Sequence, residues 1–333
     1  MLCKSQHMPT LQIPNDASIH TIRNFLSKNQ PFDTAQPTKL VFHPKWAYMD
    51  PLALVMTAAW GAWCRRNGWT VEVENCGQHV NYAARMQLFK HLGVPFVADV
   101  QEHEPSGRFM PLTQVSTSQE LNAVIGDISA LLHLEKEPDG LAAVRYCVSE
   151  LVRNVREHSG SKEGAFVCAQ RYVDADPKRV SIAVADCGGG IADHLGYIYP
   201  DAKDDHREAL RLAMTLGITG AQPGVYGTTD NAGAGLFITR AIAKATGGYF
   251  VLASGNAAFR IRREKQRPKR LIFHDAYLDP KHDEWTLPHG WQGTIAAVEI
   301  ATEEIPDFHA FFEWVATQLP VKTTIAEGKV KFT

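Results

Sequence analysis

The chain has 333 residues, 45% of them hydrophobic and 21% charged, with a net charge of -2. That is an ordinary globular composition with room for about two domains, and it excludes a low-complexity chain and a binder of polyanions by bulk charge. No segment is long and apolar enough to span a membrane, and the start, Met1 to His7, lacks the charged-then-apolar order of a secretion signal. The six cysteines, at positions 3, 64, 76, 147, 168 and 187, form no CxxC pair. This usage predicts reduced thiols in a cytoplasmic protein, with neither a disulfide frame nor a zinc site.

In chain order, Leu40–Phe42 is the first strand expected, and Leu52, Leu54, Val55, Ala58, Trp60 and Trp63 mark a helix over 51–65 that ends at Asn67-Gly68. Residues 70–74 alternate as a strand, and 79–92 are expected as one helix ending at Gly93. The polar run Glu102 to Gly107 reads as a linker. Helices are expected over 118–134 and, after the turn Pro138-Asp139-Gly140, from 141 to about Ser159. Strands 164–173 and 179–186 follow as a hairpin, then an irregular stretch 191–232 with one helix at 205–216. A helix from Gly235 to Thr246 stops at Gly247-Gly248. Strands at 249–254 and 293–300 flank a polar insertion, and 306–319 is an aromatic helix. The division expected is a small α/β domain over 1–115, a larger domain over 116–305, and a C-terminal helix and tail over 306–333.

Three motifs carry chemistry. In the helix ending near Ser159, Val144, Val148, Leu151 and Val155 form an apolar stripe, and Glu150, Asn154, Glu157 and His158 form a polar ridge beside it. A carboxylate there can hydrogen-bond an attacking water or hydroxyl as a general base. Asp186 ends an apolar strand and leads into Gly188, Gly190 and Ile191. A carboxylate at that place can accept a hydrogen bond from the exocyclic amine of adenine, and the glycines leave room for the base. Gly233, Gly235 and Leu236 open a helix, where bare amides and the helix dipole favour phosphate. The pattern is neither a dinucleotide fingerprint nor a P-loop.

In this order and spacing the three motifs resemble the N box and the two glycine boxes of the GHKL ATPases. That superfamily takes in gyrase-type topoisomerases, histidine kinases, heat-shock chaperones and mismatch-repair ATPases. The resemblance covers about residues 118–302, and Ala143 to Ser159 is most similar to the anti-sigma-factor serine kinases. It implies a two-layer α/β sandwich, the Bergerat ATP-binding fold, with ATP and magnesium as ligands. It further implies that Glu150 acts as base, that Asn154 ligates magnesium, and that Asp186 reads adenine. Residues 192–232 become a lid over ATP, with Thr228, Thr229 and Asn231 placed to touch phosphate, and Thr294 supports the adenine pocket through water. Residues 38–115 resemble a STAS domain, although its usual phosphorylatable Ser is replaced by the turn Met49-Asp50-Pro51-Leu52.

The resemblance thus implies a signalling ATPase or a Ser/Thr protein kinase acting on a sigma factor or a STAS-type regulator, with a homodimer left open. The alternatives are a non-catalytic module in which ATP only changes a protein surface, and a DNA-linked ATPase. Seven cations between Arg260 and Arg270 are read as a solvated hairpin, and nucleic acid is not an expected partner.

Overall fold

A computed structural model describes residues 10–32, 38–96, 108–218, 233–263, 272–305 and 307–314, and the backbone of 315–317, 324–326 and 329–331. It is a mixed α/β protein, as its sequence predicts. The N-terminal part runs β1 Thr10–Ile13, β2 Asp16–Ala17, α1 Ile22–Lys28, β3 Thr38–Phe42, β4 Tyr48–Met49, α2 Pro51–Arg66, β5 Val71–Glu74, α3 Asn81–Arg85 and α4 Leu88–Leu92. Strands β1, β3 and β5 pair in parallel in that order. Helix α2 is apolar on nearly every side, and a helix of that kind belongs inside. Asp50 caps it, accepting from the amides of Ala53 at 3.1 Å and Ile19 at 2.6 Å, and Pro51 sits at the first helical position. The turn Met49 to Leu52 is buried. The single helix expected over 79–92 is split, because Gln87 adopts a φ of +68° between α3 and α4.

The larger part runs β6 Phe109–Val115, α5 Ser118–Leu132, α6 Pro138–Asn154, β7 Ala165–Tyr172 and β8 Arg179–Ala185. It continues with α7 Gly190–Leu195, α8 Asp201–Asp204, α9 His206–Ala213, α10 Gly235–Thr246, β9 Phe250–Ile261, β10 His282–Ile300 and α11 Phe308–Thr317. A short hairpin, β11 Thr324–Ala326 and β12 Lys329–Lys331, comes last. The central sheet has the order β6-β7-β8-β10-β9 and is antiparallel throughout. Strand β6, assigned by sequence to the N-terminal unit, is its edge strand: Phe109, Met110, Leu112 and Val115 are buried there.

One face of the sheet packs on α5, α6 and α10. Val144, Val148, Leu151 and Val155 all point into that core, as their spacing predicts. The other face is covered by the N-terminal part: α2 lies on β7 and β8, and Phe166, Cys168, Ala183, Ala185, Val251 and Ala297 share one core with Trp60, Leu40 and Phe42. The two-layer sandwich expected for the larger part therefore carries a third layer. Two-sided burial explains why β7 and β8 are apolar at nearly every position instead of alternating. Helix α11 rests on α6, with Phe312 edge-on to Tyr146 at 5.4 Å.

Helix α5 begins at Ser118, as expected, and Thr117 before it forms a reciprocal capping box with Glu120. Thr117→Ala is expected to cost about 1 kcal/mol in denaturant unfolding without changing the m-value.

Candidate functional site

Strand β8 delivers Asp186 to the sheet's end, where it is fully buried. Its amide donates to the Thr294 carbonyl at 3.0 Å, which ties it to β10. Its Oδ1 accepts from the Gly188 amide at 2.6 Å. Its Oδ2 is buried with no hydrogen-bond partner among the described residues. The Ser159 hydroxyl beside the carboxyl favours its charged form slightly but closes no hydrogen bond to Oδ2. Burial pushes this carboxyl up to about 7, against the opposing pull of the amide hydrogen bonds. A buried acceptor without a donor is costly, so a ligand that brings an N–H to it gains the full difference.

The glycines around Asp186 are sterically required. A Cβ on Gly188 would lie 2.1 Å from the Ser159 carbonyl oxygen. Gly190 and Gly293 hold φ of +85° and +88°, and a Cβ on Gly293 would stand 2.6 Å from Asp186 Oδ1. Three neighbours absent from the sequence reading complete the frame. Ser254 Oγ accepts from the Ile191 amide at 2.9 Å and donates to the Gly293 carbonyl at 2.7 Å. Trp291 Nε1 donates to the Asp186 carbonyl at 3.2 Å, and Gln292 Nε2 donates to the Gly188 carbonyl at 2.5 Å. The register of β10 against β9 shifts on both sides of Trp291, and this irregularity aims the Trp291 indole at Asp186. The Gly293-Thr294 pair was the sequence signal for this corner; Ser254 and Trp291 gave none, because neither breaks its strand pattern.

Helix α6 supplies the facing wall. Glu150 is three residues before Arg153, whose Nη1 donates to Glu150 Oε1 at 3.0 Å. Burial raises the Glu150 pKa, Arg153 opposes the shift, and Glu157 adds to it. Asn154 is the last residue of α6, and one turn of π-helix, Val155–Ser159, follows it. Glu157 is exposed, in line with a plain surface role. The His158 ring lies 4.3 Å from that of His194 on α7; burial lowers both, His194 to about 4, so both are neutral at pH 7.

The second glycine motif faces Glu150. Gly233 has a φ of +65° and is packed against Ile218. Gly235 opens α10, and a Cβ there would stand 2.3 Å from Glu150 Oε2. The N-cap residue of α10, Ala234, offers no side-chain cap, and the first amides of this 12-residue helix have no partner within the helix. Leu236 is half-buried on its first turn. The fold thus brings Glu150 together with Gly235, and Asp186 together with Gly188, Gly190, Ile191 and Thr294. Thr228, Thr229 and Asn231 lie outside the described residues.

The expected lid segment is more regular at its start than the sequence suggests, with α7, α8 and α9 closing a small core of Ala192, Leu195, Ala202 and Ala209. Two of its basic residues are engaged elsewhere: Arg207 with Glu284, and Arg211 with Glu208 and Asp275. Arg260 and Arg263 of the basic run pair with Asp283 and Glu299; residues 264–270 lie outside the described residues. No group of three or more His, Cys, Asp or Glu suited to a metal occurs among the described residues. No helix among them is long and apolar enough to cross a membrane.

Compared with protein-family models, curated proteins and solved structures, the chain matches none.

Proposed function

We propose that this chain is a GHKL-type ATP-binding protein whose larger part is a Bergerat ATP-binding domain. The observation that carries the reading is the Asp186 carboxylate, buried, framed by glycines, and left with one oxygen unpaired. A base presenting an exocyclic amine satisfies that oxygen; guanine would present a carbonyl there and leave two acceptors facing each other. The residues present fit both ligands. The start of α10 suits phosphate, and Asn154, one turn after Glu150 at the end of α6, would hold a magnesium ion through its carboxamide oxygen; the ion would supply positive charge to offset that of the phosphates. Magnesium-bound ATP supplies the transferable phosphoryl group.

Glu150 acts as the general base. Its raised pKa brings it closer to the working pH, where a base is most effective. The acceptor is water or, in a kinase of the anti-sigma type, a Ser hydroxyl of a sigma factor or STAS-type regulator. Arg153 supports a second reading. Its guanidinium already engages Glu150, and if that pair persists with ATP bound, the protein is a non-catalytic switch.

Proton linkage tests the role of Asp186. Its free carboxyl is pushed up to about 7, and the ionised form is the stronger acceptor for an amine. Binding of ATP below that pH therefore releases a proton, and affinity rises as pH rises through it. Calorimetry at pH 6 in buffers of different ionisation enthalpy reads that release directly. Uptake of a proton, or no change in protonation, contradicts the assignment.

A further inference from the structure

A cavity of about 410 Å³ lies where the N-terminal layer meets the edge of the central sheet. Tyr82 and Arg85 of α3, Arg108, Phe109 of β6 and Gln170 of β7 line it. Gln170 pairs with Ser181, while the Asp186 end of the same hairpin is marked by Phe166 against Ala185, so this is a separate site. The volume falls within the range of small-molecule pockets.

The free polar groups here are almost all donors. The Tyr82 hydroxyl donates to Gln170 Oε1 at 2.5 Å, which leaves the amide NH2 of Gln170 with no partner among the described residues. The Arg85 guanidinium lies over the Phe109 ring at 4.7 Å, a contact that steadies it and leaves its N–H edge unused. Neither Arg85 nor Arg108 has an ion-pair partner among the described residues, and no carboxylate lines the cavity. Arg85 and Arg108 are exposed residues that border the same cavity with no carboxylate among its lining, so an oxyanion there can take charge-assisted N–H bonds from either. The Phe109 ring adds an apolar wall.

We infer that this cavity binds a small organic molecule bearing a carboxylate or phosphate, independently of the nucleotide site. The test uses the full chain and two probes, inorganic phosphate and benzoate, titrated by calorimetry against chloride at matched ionic strength. At least one probe is expected to bind saturably, and Arg85→Gln and Arg108→Gln are each expected to weaken it about tenfold. ATP binding stays unchanged in both variants. Binding of phosphate alone identifies a phosphate-bearing ligand, and binding of benzoate alone a carboxylate. The inference is overturned if neither probe saturates, or if binding survives both substitutions, which would place the anion elsewhere, the nucleotide site included.

Discussion

Glu150→Gln is expected to lower phosphate release from ATP by about 10²–10⁴-fold while leaving ATP affinity within a few-fold. The substitution keeps the shape of the side chain and its contact with the start of α10, and removes only its capacity to take a proton. It also removes the negative partner of Arg153. That pair is half-buried, so a modest loss of stability accompanies the change, and a melting curve separates it from loss of chemistry. Arg153→Ala provides the second control. If Arg153 restrains the base, phosphate release rises in that variant; if it only orients Glu150, release falls by less than in Glu150→Gln. A wild type that binds ATP and never releases phosphate, with or without a protein partner, selects the switch over the enzyme.

Trp60→Ala is expected to cost about 3–5 kcal/mol, the largest stability effect of any single truncation in the N-terminal layer. Trp60 is fully buried, and its Nε1 donates to the Pro31 carbonyl at 2.6 Å. Truncation leaves both a cavity and an unpaired carbonyl. Its neighbours share a core with the far face of the central sheet, so the loss spreads across both parts. Phe32 packs edge-on against Trp63 and Trp291, at 5.0 Å in each case, and Trp291 in turn holds the Asp186 carbonyl. Denaturant unfolding followed by tryptophan fluorescence and by far-UV circular dichroism should therefore give one coincident transition in both wild type and variant. Two separated transitions would mean that the N-terminal layer folds on its own, as an independent domain.

Residues with strong local patterns were legible in the sequence. Helix α10 occupies the Gly235–Thr246 span expected of it, because glycines bracket an unbroken amphipathic run. The stripe of α6 faces the core, and the polar ridge of Glu150 meets Gly235 across from it. What depended on distant partners was not legible. Two-sided burial of the sheet cannot be read from β7 and β8 alone, since a short apolar run fits either an edge of one core or the middle of two. Strands β9 and β10 extend to Ile261 and back to His282, through residues read as a polar insertion. Gly255, Gly290 and Gly293 sit at irregularities within one long hairpin. The same irregularity brings Trp291 to Asp186. The break at Gln87 has no sequence signal, because glutamine seldom adopts a positive φ.

The central claim is that Asp186 reads adenine in an ATP site, and the most direct test is calorimetric titration of ATP and GTP with magnesium into wild type and Asp186→Asn. The account predicts that wild type binds ATP at least about tenfold more tightly than GTP, as expected when one buried hydrogen bond is gained or left unmade, and that Asp186→Asn loses this preference. Equal binding of the two nucleotides by wild type, or a preference for ATP that survives in Asp186→Asn, would contradict it.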